Sequence, residues 1–243
     1  MRFIAYLPWV LLVVCVGAYT AAAAEYGWEA EDFTTSEGDL LGVFDVPLTA
    51  ADFDGAEYTI DEAYGDRFIG SPENAGMLGG LFIVTYDIEL PVGGGWYFWG
   101  RGIGPAFGDN SFFWIIDEAP NIGGAGMNIW DFNELTGQSN NFPFGNPPPR
   151  EVTYGWAWYR ISSRAGPFEG GGDEAVPIDL SAGSHAFHLA GREDGAYMDV
   201  LFATTESDFD ANATAPSEAM IQPLAVAPGG KLTTTWGSMK SRI

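Results

Sequence analysis

The chain has one cysteine in 243 residues, Cys15, and it sits in an apolar N-terminal run. With that run set aside no thiol remains, which excludes disulfides, zinc–thiolate centres and cysteine nucleophiles together. Basic residues are scarce too: ten Lys and Arg stand against 33 Asp and Glu, a net charge of −23. Such a surface repels nucleic acid and anionic membranes, and it repels polyanionic sugars unless a cation intervenes. Long helical periods are missing. The apolar run over residues 3–16 falls short of the roughly 20 residues a membrane helix needs, so no membrane span is expected. Nucleophile-elbow, zincin and phosphate-loop motifs are all absent, and carboxylate pairs carry little information in a chain this acidic.

What is present begins with a leader. Arg2, the apolar run and Ala22-Ala23-Ala24 before Glu25 have the pattern of a secretory signal peptide over residues 1–24, and this predicts a secreted or cell-surface product. The leader contains one base and no acid, so the mature net charge becomes −24. Acidity of this size keeps an extracellular protein soluble, and some of the carboxylates are also candidates to hold calcium.

Glycine and aromatic residues are abundant, and short alternating runs are separated by Gly and Pro. The clearest is 82–90, where Phe82, Val84, Tyr86, Ile88 and Leu90 share one face and Thr85, Asp87 and Glu89 the other. Pro91 and Gly93-Gly94-Gly95 then turn the chain, and 96–101 is expected to return as the partner strand. Further strands are expected at 111–117, 127–132, 154–162, 186–189 and 198–204, which favours an all-β sandwich. Residues 69–80 and 136–150 read as loops. The sandwich is expected over 25–210, followed by an Ala/Pro-rich linker from 211 to 230. A basic tail over 231–243 closes the chain, carrying Lys231, Lys240 and Arg242 with Leu232, Trp236, Met239 and Ile243 at helical spacing. The tail is a candidate contact for a protein partner, or simply a short flexible end.

Two stretches far apart in the chain carry a resemblance. Trp28-Glu29-Ala30-Glu31 stands near the start, and Leu180-Ser181-Ala182-Gly183-Ser184-His185 near the end, followed by Gly195-Ala196-Tyr197-Met198-Asp199. This order resembles carbohydrate-binding modules of the family 6 type, which are jelly-roll, galactose-binding-like sandwiches. Trp99-Gly100-Arg101 and Asn110-Ser111-Phe112-Phe113 look like the paired central strands of such modules. The resemblance covers roughly residues 26–207. It implies a glycan ligand, and it implies that Glu29, Glu31 and Asp199 surround a structural calcium. Spacing alone says only that Glu29 and Glu31 project to one side of a strand, roughly 7 Å apart. Two surface glutamates on an edge strand need no metal; oxygen-only donors suit calcium if one is bound. The chain departs from the family where an asparagine often precedes the closing aspartate: Ala196-Tyr197-Met198 stands there.

Sugar recognition needs flat aromatic faces and a few polar groups. Tyr154, Trp156 and Trp158 alternate on one strand face, with Trp156 or Trp158 as the expected platform. Trp130 beside Asp131, Tyr197 and Arg192 are further candidates. For the tryptophans the competing role is filling the space between two sheets, and for Arg192 it is pairing with Glu193 or Asp194. His185 shares a face with Phe187 and Leu189 and reads as structural, while His188 faces the other way. Two functions are compatible with these residues: a noncatalytic carbohydrate-binding protein, and an extracellular structural or protein-interaction sandwich.

Overall fold

The computed structural model describes residues 23–221, apart from 52–54, 56, 73–81, 105–110, 132–155, 162–176, 212 and 217–219. Cys15, the loop 136–150, Tyr154 and the tail 231–243 lie outside the described residues. In chain order the strands are β1 (Glu25–Glu29), β2 (Thr35–Glu37), β3 (Gly42–Asp45), β4 (Leu48–Ala51), β5 (Glu57–Ile60), β6 (Arg67–Gly70) and β7 (Ile83–Leu90). They continue as β8 (Gly94–Ile103), β9 (Ser111–Ile116), β10 (Asn128–Asp131), β11 (Ala157–Arg160), β12 (Ile178–Leu180), β13 (Gly183–Gly191) and β14 (Tyr197–Thr204). A 3₁₀ turn, Tyr64–Asp66, precedes β6. No helix among the described residues is long and apolar enough to cross a membrane.

The strands form a jelly-roll sandwich of two antiparallel sheets and a small β4–β5 hairpin. One sheet runs β11-β8-β14-β6-β3, with β1 on β14 and β12 on β8; the other runs β10-β9-β13-β7-β2. Between them lies the main core, built from alternating inward residues such as Trp28, Tyr86, Phe98, Trp114, Phe187 and Leu201. The face predicted for 82–90 is the face that enters it: Phe82, Val84, Tyr86, Ile88 and Leu90 are all core, while Asp87 and Glu89 are exposed. Burial of each such aliphatic or phenyl side chain contributes about 1.5–3 kcal/mol.

Two expected pairings are corrected. β7 and β8 are not a hairpin: β7 pairs with β13 and β2, while β8 pairs with β14, β11 and β12. The Pro91–Gly93 turn carries the chain from one sheet to the other, so Leu90 and Trp96 meet the same core from opposite sides. For the same reason β8 and β9 are not paired central strands, since β9 belongs to the second sheet.

Two local features of the first sheet shape the surroundings of residues 198–200. At Gly100 a Cβ would lie 2.2 Å from the Trp130 ring and 2.7 Å from the Met198 sulfur, so only glycine lets those side chains approach the sheet. In β14 the register slips between Met198 and Val200 opposite β8. This β-bulge turns Asp199 and Val200 to the same outer side, while Met198 and Leu201 stay in the core. That outer side is covered by the chain's own segment after β14. Phe209, Ala211 and Ile221 pack with Trp99, Trp158, Val200 and Phe202, and Ile221 bridges Gly27. Packing against the sandwich therefore continues past residue 210 into the stretch read as a linker.

Candidate functional site

β1 and β6 lie end to end along one edge of β14: β1 pairs with residues 200–204 and β6 with 197–198. The gap between them opens at Asp199, whose carbonyl accepts the Ala30 amide at 2.8 Å. Glu29, at the end of β1, and Glu31, in the turn just beyond it, therefore reach the bulge from one side. The 3₁₀ turn Tyr64–Asp66 closes the gap from the other. Its central residue Gly65 has φ +58°, the left-handed region, and the Glu29 carboxylate lies directly against it.

Burial dominates the electrostatics of these acids. Glu31 is 8% exposed, and desolvation, with the charges of Glu29 and Asp199 adding to it, pushes its pKa up to about 8. Burial raises Glu29 as well, with the charge of Asp32 adding to it and that of Arg67 opposing it. The second oxygen of Glu31, Oε2, is buried without a hydrogen-bond partner. Asp199 is fully buried, and desolvation raises it to about 7 against the opposing pull of Arg101.

Asp199 has partners of its own. Arg101 Nη1 donates to Oδ2 in a short contact, and the Tyr64 amide donates to Oδ1 at 3.0 Å. The guanidinium carbon of Arg101 lies 5.0 Å from the Tyr64 ring centroid and 5.3 Å from that of Trp156, within cation–π range of both. Trp156 is held in turn by its indole N–H, which donates to the Glu62 carbonyl, and by edge contact with Phe68. Beside this assembly Glu29, Asp61, Glu62, Tyr64, Asp66, Arg101 and Ile221 line an open cleft of about 650 Å³.

Calcium takes six to eight oxygens. The orphaned Glu31 Oε2, buried beside two further carboxylates, is the kind of group a hard cation satisfies, so the Glu29–Glu31 pair fits one. A complete cage is not preformed: among the described residues no three acidic or histidine side chains converge as a metal-ligand set. The structure thus brings Glu29, Glu31 and Asp199 together as neighbours, with Asp199 engaged by Arg101.

The aromatic candidates separate by exposure. Trp130 is 0% exposed and part of the main core, so it has no face to offer a sugar. Trp158, at 6%, packs edge-on against Phe202 under the covering segment, and Tyr197, at 1%, bonds its hydroxyl to that of Tyr58 at 3.0 Å. These three are packing residues. Trp156 is half-buried, packed against Phe68 and the Arg101 guanidinium behind the cleft lining, whereas Tyr154 lies outside the described residues. Arg192 is paired rather than free: Nη1 donates to Ser111 Oγ at 2.6 Å and to Glu193, over the Phe113 ring. Sequence reasoning passed over Tyr64, Gly65, Asp61 and Glu62. Their only signal was a Gly flanked by Tyr and Asp in a stretch rich in acids, whereas Arg101 stood out by the rarity of basic residues.

One constellation has the outline of a catalytic triad. His185 Nδ1 lies 2.6 Å from Asp117 Oδ2, and Nε2 is 3.4 Å from Ser181 Oγ. Nε2 is closer, at 2.9 Å, to the Ser181 carbonyl. A carboxylate and a carbonyl only accept, so both ring nitrogens donate and no lone pair is left to take a proton from Ser181. The group is a structural clasp between β13 and the end of β9. His188 faces the opposite side of the sheet and bonds Thr85 Oγ1 at 2.9 Å.

No family model and no curated protein matches the chain. Among solved structures it is similar to the C-terminal CBM6 of LamC, a marine laminarinase from Zobellia galactanivorans, with 14% identity over 74% of this chain and 99% of that one, TM-score 0.37. It is also similar to a family 35 carbohydrate-binding module from Clostridium thermocellum, with 9% identity over 74% and 97%, TM-score 0.39. A third is the GH26-CBM35 β-(1,4)-mannanase of Podospora anserina, with 12% identity over 77% of this chain but 29% of the enzyme, TM-score 0.40. These three are carbohydrate-binding modules of families 6 and 35, or an enzyme that carries one.

Proposed function

We propose that this is an exported, noncatalytic carbohydrate-binding protein with a structural calcium held from the side of Glu29 and Glu31. The observation that carries the reading is the cleft beside Arg101. Its lining sets the half-buried Tyr64 ring, an aromatic surface for the C–H side of a pyranose, among carboxylates and the Arg101 guanidinium suited to hydroxyls, with Trp156 packed against that guanidinium. The family 6-type motifs at both ends of the chain point to the same ligand class. Glu29 and Glu31 would hold the calcium, which would supply positive charge to these carboxylates. Around it, Gly65 admits the Glu29 carboxylate, and the bulge in β14 presents Asp199 to Arg101. The triad-like group of His185, Asp117 and Ser181 offers no free base, since both ring nitrogens donate.

The test is a glycan array probed with the full chain, with and without calcium, followed by titration calorimetry on any hit. Saturable binding to a defined glycan, weakened by Tyr64→Ala, is the expected result. Silence across neutral, acidic and amino-sugar glycans sinks the reading in favour of an extracellular interaction sandwich, in which the basic residues of 231–243 contact a protein partner.

A further inference from the structure

We propose that Arg101 is the resident counter-ion of Asp199 and holds that carboxylate out of the metal's coordination shell, so that calcium is bound from the Glu29–Glu31 side alone. This rests on the calcium reading above and sharpens it, because Asp199 is the ligand that the sequence motif implies. Four observations support it. Both oxygens of Asp199 are already used, one by Arg101 and one by the Tyr64 amide. Asp199 is fully buried, so solvent does not replace Arg101 as its partner, and the Arg101 side chain is 16% exposed. The guanidinium is held over two aromatic rings, and Trp156, one of them, is itself pinned to the Glu62 carbonyl. By contrast Glu31 Oε2, nine-tenths buried, has no partner.

A planar, always-charged guanidinium is suited to hold a buried carboxylate in one orientation, and a divalent ion brought onto the same oxygens would be repelled by it at contact distance. Arg101 therefore sets the affinity of the metal site by withholding one ligand. Removing its charge frees Asp199 as a third carboxylate.

The experiment is calcium titration calorimetry, paired with melting curves in calcium and in chelator, on the unsubstituted full chain, Arg101→Gln, Asp199→Asn and the double variant. Arg101→Gln is expected to lower the calcium Kd at least tenfold and to make melting more calcium-dependent. Asp199→Asn is expected to stay within threefold of the parent, and the double variant to lose the gain of Arg101→Gln. If the parent binds calcium but Arg101→Gln binds equally or more weakly, or if Asp199→Asn loses tenfold, the counter-ion role is overturned while the calcium site stands. If neither the parent nor Arg101→Gln binds calcium, the calcium reading falls and takes the proposal with it. Should Arg101→Gln stay unfolded at every calcium concentration, Asp199→Asn decides by the same thresholds.

Discussion

The Glu29 carboxylate rests on Gly65: a Cβ built there would stand 2.9 Å from Oε2 and 3.0 Å from Oε1. Gly65 also has φ +58°, where an L side chain costs about 1–2 kcal/mol. Gly65→Ala is therefore expected to destabilise the protein by at least that amount and to displace Glu29 from the site. Calcium should recover less of the melting temperature in this variant than in the parent. An unchanged melting curve would show that the turn does not need glycine.

Metal removal is the direct test of the carboxylate pair. A ligand bound only by the folded chain stabilises it by about 2.7 kcal/mol at a hundred times its Kd. For a chain of this size that is roughly 5 to 10 °C in Tm. Chelation should remove this increment, and Glu31→Gln should abolish the response to calcium. The exposed Glu57 serves as control, and Glu57→Gln should respond like the parent. Equal melting temperatures in calcium and chelator for the parent, with no metal found by elemental analysis, exclude the site.

The tryptophans should divide by burial. Trp130→Ala removes a fully buried ring from the main core and is expected to cost about 3–5 kcal/mol, seen in denaturant unfolding, with Trp158→Ala in the same direction. Trp156→Ala should leave the fold intact and weaken glycan binding at least tenfold. A Trp156→Ala protein that binds as well as the parent shows that the Arg101 guanidinium does not need that ring packed against it.

His185 gives the expected pH dependence. Burial alone would depress its pKa, but the hydrogen bonds to Asp117 and the Ser181 carbonyl, with the charges of Asp117 and Glu89, outweigh it and raise the value above 6.5. A raised folded pKa means that the native state holds the proton more tightly. The contribution is fully present below the unfolded value and is lost as pH rises through the folded one. Melting temperature should thus fall across that window, and the histidine's part of the fall should vanish in His185→Gln. If the two proteins show parallel pH profiles, the clasp is not ionised.

Much of the architecture was legible in one dimension. Alternation over 82–90 named every inward residue of β7, because a strand's period of two holds whatever it pairs with. The Glu29-Ala30-Glu31 motif likewise pointed to a carboxylate pair on one side of a strand near the start of the chain, but not to its burial. Pairing partners were beyond this reach: β7 and β8 are adjacent in sequence yet belong to different sheets, since the Pro91–Gly93 turn fixes a crossing rather than a hairpin only once both inner faces have a common core. Exposure was also decided in three dimensions. Trp158 is an outward residue of the first sheet, and it is buried because Phe209, Ala211 and Ile221 return over that face from the far end of the chain. The bulge between Met198 and Val200 turns Asp199 outward to Arg101, and no periodicity announces it, because an extra residue in one strand is defined only against the register of its neighbour.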